Sequence, residues 1–346
     1  MKRTIIQLIS LLLLLLLLLF LLASCTEKGG EGRSFTDMDG NSVVLPEGPI
    51  RVTANSSSIP TQAVMVAGAE SVAIAPASYQ SGHTETFLEL FEGAGDVPLT
   101  TGDTISAEAM LEKGVNVFLA SNEDDRVEYS NAGIPSIVMR YDTTENVAES
   151  FAVLGELFGD DALARGRYLR DYILSCAETA KQAAETVEHR PKVYCVAANT
   201  QSTPYVTQGA DTFAAELLSL CGGELVTAGN GIYVTISAEF LLSEDPDIII
   251  LDGYLAEEAL QELQSDPVLK NLRAVQENQI IIAPIGQLRP VLRPGAEVGI
   301  GILWLAEQLC GVDLNSAEKA VELYRECFGW EVPKEEIELM LKGGLT

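Results

Sequence analysis

The sequence predicts an α/β protein of two Rossmann-like lobes joined by a single long helix, with a ligand cleft between them. Three observations carry that reading. Strand and helix signals alternate up to about residue 140, and the same rhythm returns after residue 190. Between them, residues 146–188 hold no strand signal and no proline, and their apolar residues recur at helical spacing. Strands alternating with helices indicate parallel βαβ layers. The chain is long enough for two ordinary cores.

In order, the first element is a hairpin over 35–46, with Asp39-Gly40 as its turn and Val43-Val44-Leu45 in its second strand. Residues 50–54 (IRVTA) form a short strand, and Pro60 opens a helix that Gly68 ends. A strand over 71–75, a helix over 83–91 and a helix over 106–112 capped by Ser106 follow, with strands over 115–120 and 137–140. The middle segment repeats Val147, Phe151, Leu154 and Phe158, breaks at Gly159-Asp160, and resumes with Leu163, Tyr168 or Leu169, Ile173, Cys176 or Ala177, and Ala180. Its second part, 161–188, would reach about 40 Å as a helix, the length of a strut between lobes.

In the second half, strands are expected over 192–197, 247–251 and 279–283, with helices over 212–220, 237–242 and 295–309. The continuous apolar run Ile248-Ile249-Ile250-Leu251 suits a parallel sheet covered on both faces. The division is therefore 35–145 for the N-terminal lobe, 146–189 for the linking helical segment and 190–346 for the C-terminal lobe.

The start of the chain is an address. Lys2 and Arg3 precede an apolar run to Leu22, and Leu22-Ala23-Ser24-Cys25 closes it. A basic n-region, apolar h-region and small-residue site make a secretory signal. The run is about long enough to span a bilayer, but it ends at small residues with Cys and no basic cluster follows. Residues 1–24 read as a lipoprotein signal peptide, Cys25 as the lipidated residue, and polar 25–34 as a flexible tether. The expected location is extracytoplasmic, tethered to the cell membrane.

A formal net charge of −28 opposes nucleic-acid binding, which needs Lys and Arg to displace counterions. Beyond Cys25 the cysteines are Cys176, Cys195, Cys221, Cys310 and Cys327, an odd number without a Cys-x-x-Cys pair, so neither a closed disulfide framework nor a zinc ribbon is indicated. With two histidines, His83 and His189, a bare-ion Zn²⁺ or Mn²⁺ site is not expected.

The mature chain resembles the class III substrate-binding proteins of ABC importers, the iron-siderophore, haem and cobalamin family. The resemblance lies in FTDMDGNSVVLPEGPIRV at the start, SSSIPTQAVMVAGAESVAIAP, ISAEFLLSEDPDIIILDG, AVQENQIIIAP and RPGAEVGIGILWLAEQL, in that order. It implies partnership with an ABC permease and its ATPase, a small-molecule metal chelate as cargo, no resident cofactor or metal, and no enzymatic activity. It also implies a permease-docking Glu on each lobe. Glu239 matches the C-lobe position, while Gln62 stands where the N-lobe Glu is expected. A second departure is Lys113-Gly114-Val115-Asn116, which replaces the usual Pro-Asp before the N-lobe strand.

Ligands of open α/β sheets gather at strand C-terminal ends, and two lobes on a strut leave a cleft there. The candidate loops are 55–58, 77–83, 121–126, 199–208, 231–233 and 287–293. Arg289 and Arg293, each followed by proline, could hold an anionic group bidentately or serve as surface charge partners. Tyr79, Tyr205 and Tyr233 offer aromatic walls. His83 could serve as an axial ligand were the cargo haem, or stand at a helix start.

The function expected is capture of an iron chelate or related metal-tetrapyrrole and its delivery to the permease, a cobalamin or haem binder being the alternative within the fold. A surface sensor or adhesion lipoprotein is the alternative outside it. No Gly-x-Ser-x-Gly, HExxH or P-loop pattern supports an enzyme.

Overall fold

The computed structural model describes residues 32–198, 202–288 and 291–343. The hairpin comes first: β1 (Arg33–Thr36) pairs antiparallel with β2 (Ser42–Leu45). Buried Asp37 organises the turn. Its Oδ1 accepts the amides of Asp39 (3.0 Å) and Asn41 (2.8 Å), and its Oδ2 accepts that of Val138 (2.9 Å). One carboxylate thus closes the turn and fastens the hairpin to the lobe behind it.

In the N-terminal lobe β3 (Val52–Thr53), β4 (Val117–Ala120) and β5 (Ser136–Val138) form a parallel sheet in that order. The strand expected over 71–75 is reduced to single bridges, Val52 with Val72 and Ala75 with Leu99. Between them the Thr53 hydroxyl donates to the Ile74 carbonyl at 2.6 Å, taking up an acceptor that a continuous ladder would use. The helix expected over 83–91 runs over Glu85–Leu90, preceded by a 3-10 turn, Ala77–Gly82. Thr84 divides them: its backbone is extended, and its Oγ1 accepts the Phe87 amide at 3.0 Å as an N-cap.

The helical middle segment is two helices, Thr144–Phe158 and Asp160–Ala184, folded back on each other at Gly159. Their backbones nearly touch. A Cβ on Gly155 would stand 2.9 Å from the Ala162 carbonyl oxygen, and one on Gly166 would overlap the Phe151 carbonyl. The second helix is the strut, and its 25 residues span about 37 Å at the usual rise per residue.

The C-terminal lobe adds β6 (Lys192–Ala197), β7 (Val206–Thr207), β8 (Glu224–Leu225), β9 (Val234–Thr235), β10 (Ile248–Asp252) and β11 (Ile280–Ile282). The main sheet is parallel in the order β11-β10-β6-β8, and β7 pairs antiparallel with β9 beside it. Ile249, Ile250 and Leu251 in central β10 are fully buried, as the apolar run requires. After β11 the Val298–Cys310 helix rides on the strut, so close that a Cβ on Gly299 would lie 2.6 Å from the Tyr172 ring.

One apolar cluster runs through the N-lobe, the strut and the C-terminal helices, joining Val64, Phe151, Ile173, Ile250 and Leu303. Each lobe has a second cluster on its sheet's other face, around Met110, Phe118 and Tyr129 in one and Tyr194, Leu241 and Leu251 in the other. The five described cysteines are free thiols, four of them buried. Among the described residues no helix is long and apolar enough to cross a membrane. The signal segment and Cys25 lie outside the described residues.

Candidate ligand cleft and docking rim

The C-terminal edges of the two sheets face each other, because segments leaving those edges meet across the gap. On one side the Thr84 hydroxyl donates to the Gln287 carbonyl, and Gln62 Nε2 donates to the Pro294 carbonyl at 3.3 Å. On the other, Glu216 Oε2 accepts the Thr144 amide (3.2 Å) and hydroxyl (2.9 Å). Burial pushes the Glu216 carboxyl above its ordinary value, against the pull of these donors.

Arg293 does not stand free at this edge. Its Nη2 lies 2.6 Å from Oδ2 of Asp252, the last residue of β10, whose side chain is buried. Burial pushes the Asp252 carboxyl up, and the guanidinium opposes part of that rise. The loop is held again at Glu297, also buried, which accepts the Leu288 amide at 3.0 Å and the Tyr324 hydroxyl. Arg289 lies outside the described residues, as do residues 199–201.

Tyr79 and Tyr205 each have partners within the protein. Tyr79 is fully buried, because the turn begun by Pro76 folds it inward, its amide donating to the Pro76 carbonyl at 2.9 Å. Tyr205 is half-buried: its hydroxyl donates to Asp266 at 2.7 Å, and burial, with Asp266, raises it to about 12. His83 is half-buried, stacked on Phe87 with ring centroids 4.1 Å apart and set edge-on to Tyr79 at 4.4 Å. Its Nε2 is 3.0 Å from the Thr61 hydroxyl, whose oxygen also lies 2.8 Å from the Ser57 carbonyl.

Tyr233 remains, 53% exposed, beside Ile232 at the start of β9. Sequence reasoning missed Tyr254, which is 43% exposed two residues beyond the end of β10. The signal was present, since a residue directly after an apolar parallel strand stands at the edge where ligands gather. Among the described residues no group of three or more His, Cys, Asp or Glu could hold a metal ion.

Gln62 is buried, 1% exposed, and its Nε2 is turned to the Pro294 carbonyl. Glu239 is exposed in the first turn of the Ala238–Glu244 helix, where its own amide and the Ser237 hydroxyl hold its carboxyl below the usual value. Its structural counterpart is Glu108.

Residues 105–108 and 236–239 both read Ile-Ser-Ala-Glu, and the two stretches align without a gap into β4 and β10. Ser106 Oγ accepts the Ala109 amide and Ser237 Oγ the Phe240 amide, each at 3.2 Å. Met110 and Leu241 are both fully buried. Gly114 (φ 75°) and Asp245 (φ 42°) make equivalent left-handed turns. Asn116 Oδ1 then accepts the Arg51 amide at 2.7 Å, as Asp247 Oδ2 accepts that of Lys192 at 2.8 Å. Asn116 therefore does in this lobe what Asp247 does in the other. Each helix is joined to its strand by a tight turn and so runs back along it, with its N-terminal turn at the cleft edge. The Ile105 amide, donating at 3.0 Å to Asn55 just beyond β3, shows this directly.

The family model for periplasmic binding proteins matches residues 96–285. No curated protein sequence matches the chain. Among solved structures, an ABC transporter solute binding protein from Sulfurospirillum deleyianum is 20% identical, with 90% of this chain and 99% of that one covered at a TM-score of 0.73. A periplasmic solute binding protein from Veillonella parvula is 18% identical, covering 89% and 96% at 0.72. The molybdate periplasmic binding protein of a Haemophilus influenzae ABC transporter, bound to molybdate, is 15% identical, covering 87% and 99% at 0.71. The family is one of extracytoplasmic solute-binding proteins that work with ABC permeases and is not one of enzymes. With two parallel α/β sheets facing across a strut-backed cleft, and more than half its length matched, this chain belongs to the periplasmic binding protein family.

Proposed function

We propose that the protein is the lipid-anchored substrate-binding component of an ABC importer, tethered through Cys25, and that its cargo is an iron chelate or a related metal-tetrapyrrole. The observation that carries the cargo class is the edge of β10. There Arg293 offers directed N–H donors while buried Asp252 offsets its charge, and the exposed Tyr254 follows two residues on. A compact oxyanion is held best by donors that keep a net positive charge. A neutralised guanidinium at the same strand edge as an exposed tyrosine suits a larger chelate with polar groups on a conjugated or apolar body.

The test is thermal unfolding of the mature protein with ferric catecholate, ferric hydroxamate, haemin, cobinamide or molybdate. One chelate or tetrapyrrole should raise the midpoint by several degrees through mass action. Stabilisation by molybdate alone, or by none, would overturn the cargo class.

Docking on the permease is assigned to Glu108 and Glu239, whose exposure and matching presentation support the pair. Glu108→Lys and Glu239→Lys should each abolish uptake without changing cargo affinity in solution. Uptake that survives both substitutions removes this assignment.

A further inference from the structure

The repeat carries more than its glutamates. Three residues beyond each Glu is a leucine, Leu111 in one lobe and Leu242 in the other. On a helix such residues are neighbours on one face. Both are open to solvent, Leu111 at 56% and Leu242 at 42%, while the residues before them, Met110 and Leu241, are fully buried. The flanking surface positions diverge between the two copies: Ala109 against Phe240, Glu112 against Ser243, Lys113 against Glu244. Beyond the shared Ile-Ser-Ala-Glu with its serine cap, the exposed leucine is what the two copies keep at their surface.

Their framework is matched as well. Arg51 Nη1 donates to the Lys113 carbonyl at 3.2 Å, and Lys192 Nζ to the Glu244 carbonyl at 3.3 Å, so a basic side chain from the neighbouring strand region ties down the end of each helix. Both helices begin at the edge bordering the cleft, so the two acid-leucine pairs stand on opposite rims of the same opening.

We propose that the docking rim is a matched pair of contacts, Glu108 with Leu111 and Glu239 with Leu242, built for a two-fold membrane permease that offers in each half a cation beside an apolar socket. This rests on the docking assignment above and adds the apolar half and the symmetry. The charge is complementary: an exposed carboxylate in a chain of net charge −28 attracts a basic partner and sets orientation. The leucine supplies what a rim charge pair lacks, because exposed ion pairs contribute little and a buried leucine contributes more. A partner that meets two like patches at once has two like sockets, as a symmetric dimer does.

The experiment measures how the cargo-loaded full chain stimulates ATP hydrolysis by its permease–ATPase complex in nanodiscs. Variants are Leu111→Ser, Leu242→Ser, the double variant, the conservative Leu111→Met and Leu242→Met, and Leu339→Ser as an exposed control away from the rim. Each rim serine should raise the half-stimulating concentration by about tenfold, the double variant by about the product, with methionine largely restoring it. The control should be silent, and all variants should keep cargo affinity and melting midpoint. If the serine variants stimulate like wild type while Glu108→Lys and Glu239→Lys fail, the apolar contact is wrong and the docking assignment stands. An effect at only one leucine overturns the two-fold partner. If glutamate and leucine variants are all silent, both readings fall.

Discussion

Nη2 of Arg293 lies 2.6 Å from Oδ2 of Asp252, and this pair joins the end of β10 to the loop that follows β11. Desolvating both charges costs energy that their attraction only partly offsets, so removing one partner is worse than removing both. Asp252→Ala is expected to lower unfolding free energy by about 3 kcal/mol, with an Asp252→Ala/Arg293→Met double variant closer to wild type. Urea titration of the four proteins checks it. A loss in the double variant equal to the sum of the two single losses would show that the charges do not interact.

Glu216 gives stability a pH dependence of definite sign. Its carboxyl is raised by burial first, with Asp142 adding to the rise and Thr144 opposing it. A carboxyl raised on folding holds its proton more tightly in the native state. Its contribution is therefore fully present below the unfolded value, about 4.3, and is lost as pH rises through the raised one. Glu216→Gln keeps an acceptor for Thr144 and removes the titration. The wild-type melting midpoint minus that of the variant should fall from pH 4 upward, and a difference that rises with pH would contradict the burial argument.

The thiols should be inert in the native protein. Burial pushes Cys176 and Cys327 up to about 12 and also raises Cys195, Cys221 and the partly exposed Cys310. Thiolate is the reactive form. At pH 8, iodoacetamide is expected to modify Cys310 first and the other four only in urea, as read by mass spectrometry of the peptides. Rapid native labelling of Cys176 would place that helix differently.

Two tyrosines should separate stability from binding. Tyr205→Phe loses the hydrogen bond to Asp266 and is expected to cost about 1–2 kcal/mol with cargo affinity unchanged. Tyr254→Ala should leave the fold intact and weaken cargo binding several-fold. The reverse pattern would move the ligand to Tyr205.

Much of the fold is legible in the chain because its signals are local. The buried strand Ile248–Asp252, the break before Asp160 and the serine caps each follow from neighbouring residues. What is not legible depends on partners distant in sequence. Nothing near Arg293 announces that Asp252 neutralises it, and nothing near Gln62 announces Pro294. Tyr79 and Tyr233 look alike as residues, yet one turns inward at Pro76 and the other stays at the surface. The N-lobe glutamate is a different case: Ile-Ser-Ala-Glu occurs twice, and aligning the chain with itself finds Glu108 without any structure.

The strut is gripped on two faces, by the Gly155–Gly166 crossing with the preceding helix and by Gly299 against Tyr172. Backbones this close have no room to slide. A helix pinned in this way acts as the spine of a stiff bracket rather than as a pivot. Empty and loaded protein should then give nearly the same radius of gyration in X-ray scattering, and a change of several ångströms would refute the stiffness. An importer facing such a bracket cannot recognise a full carrier by its outline.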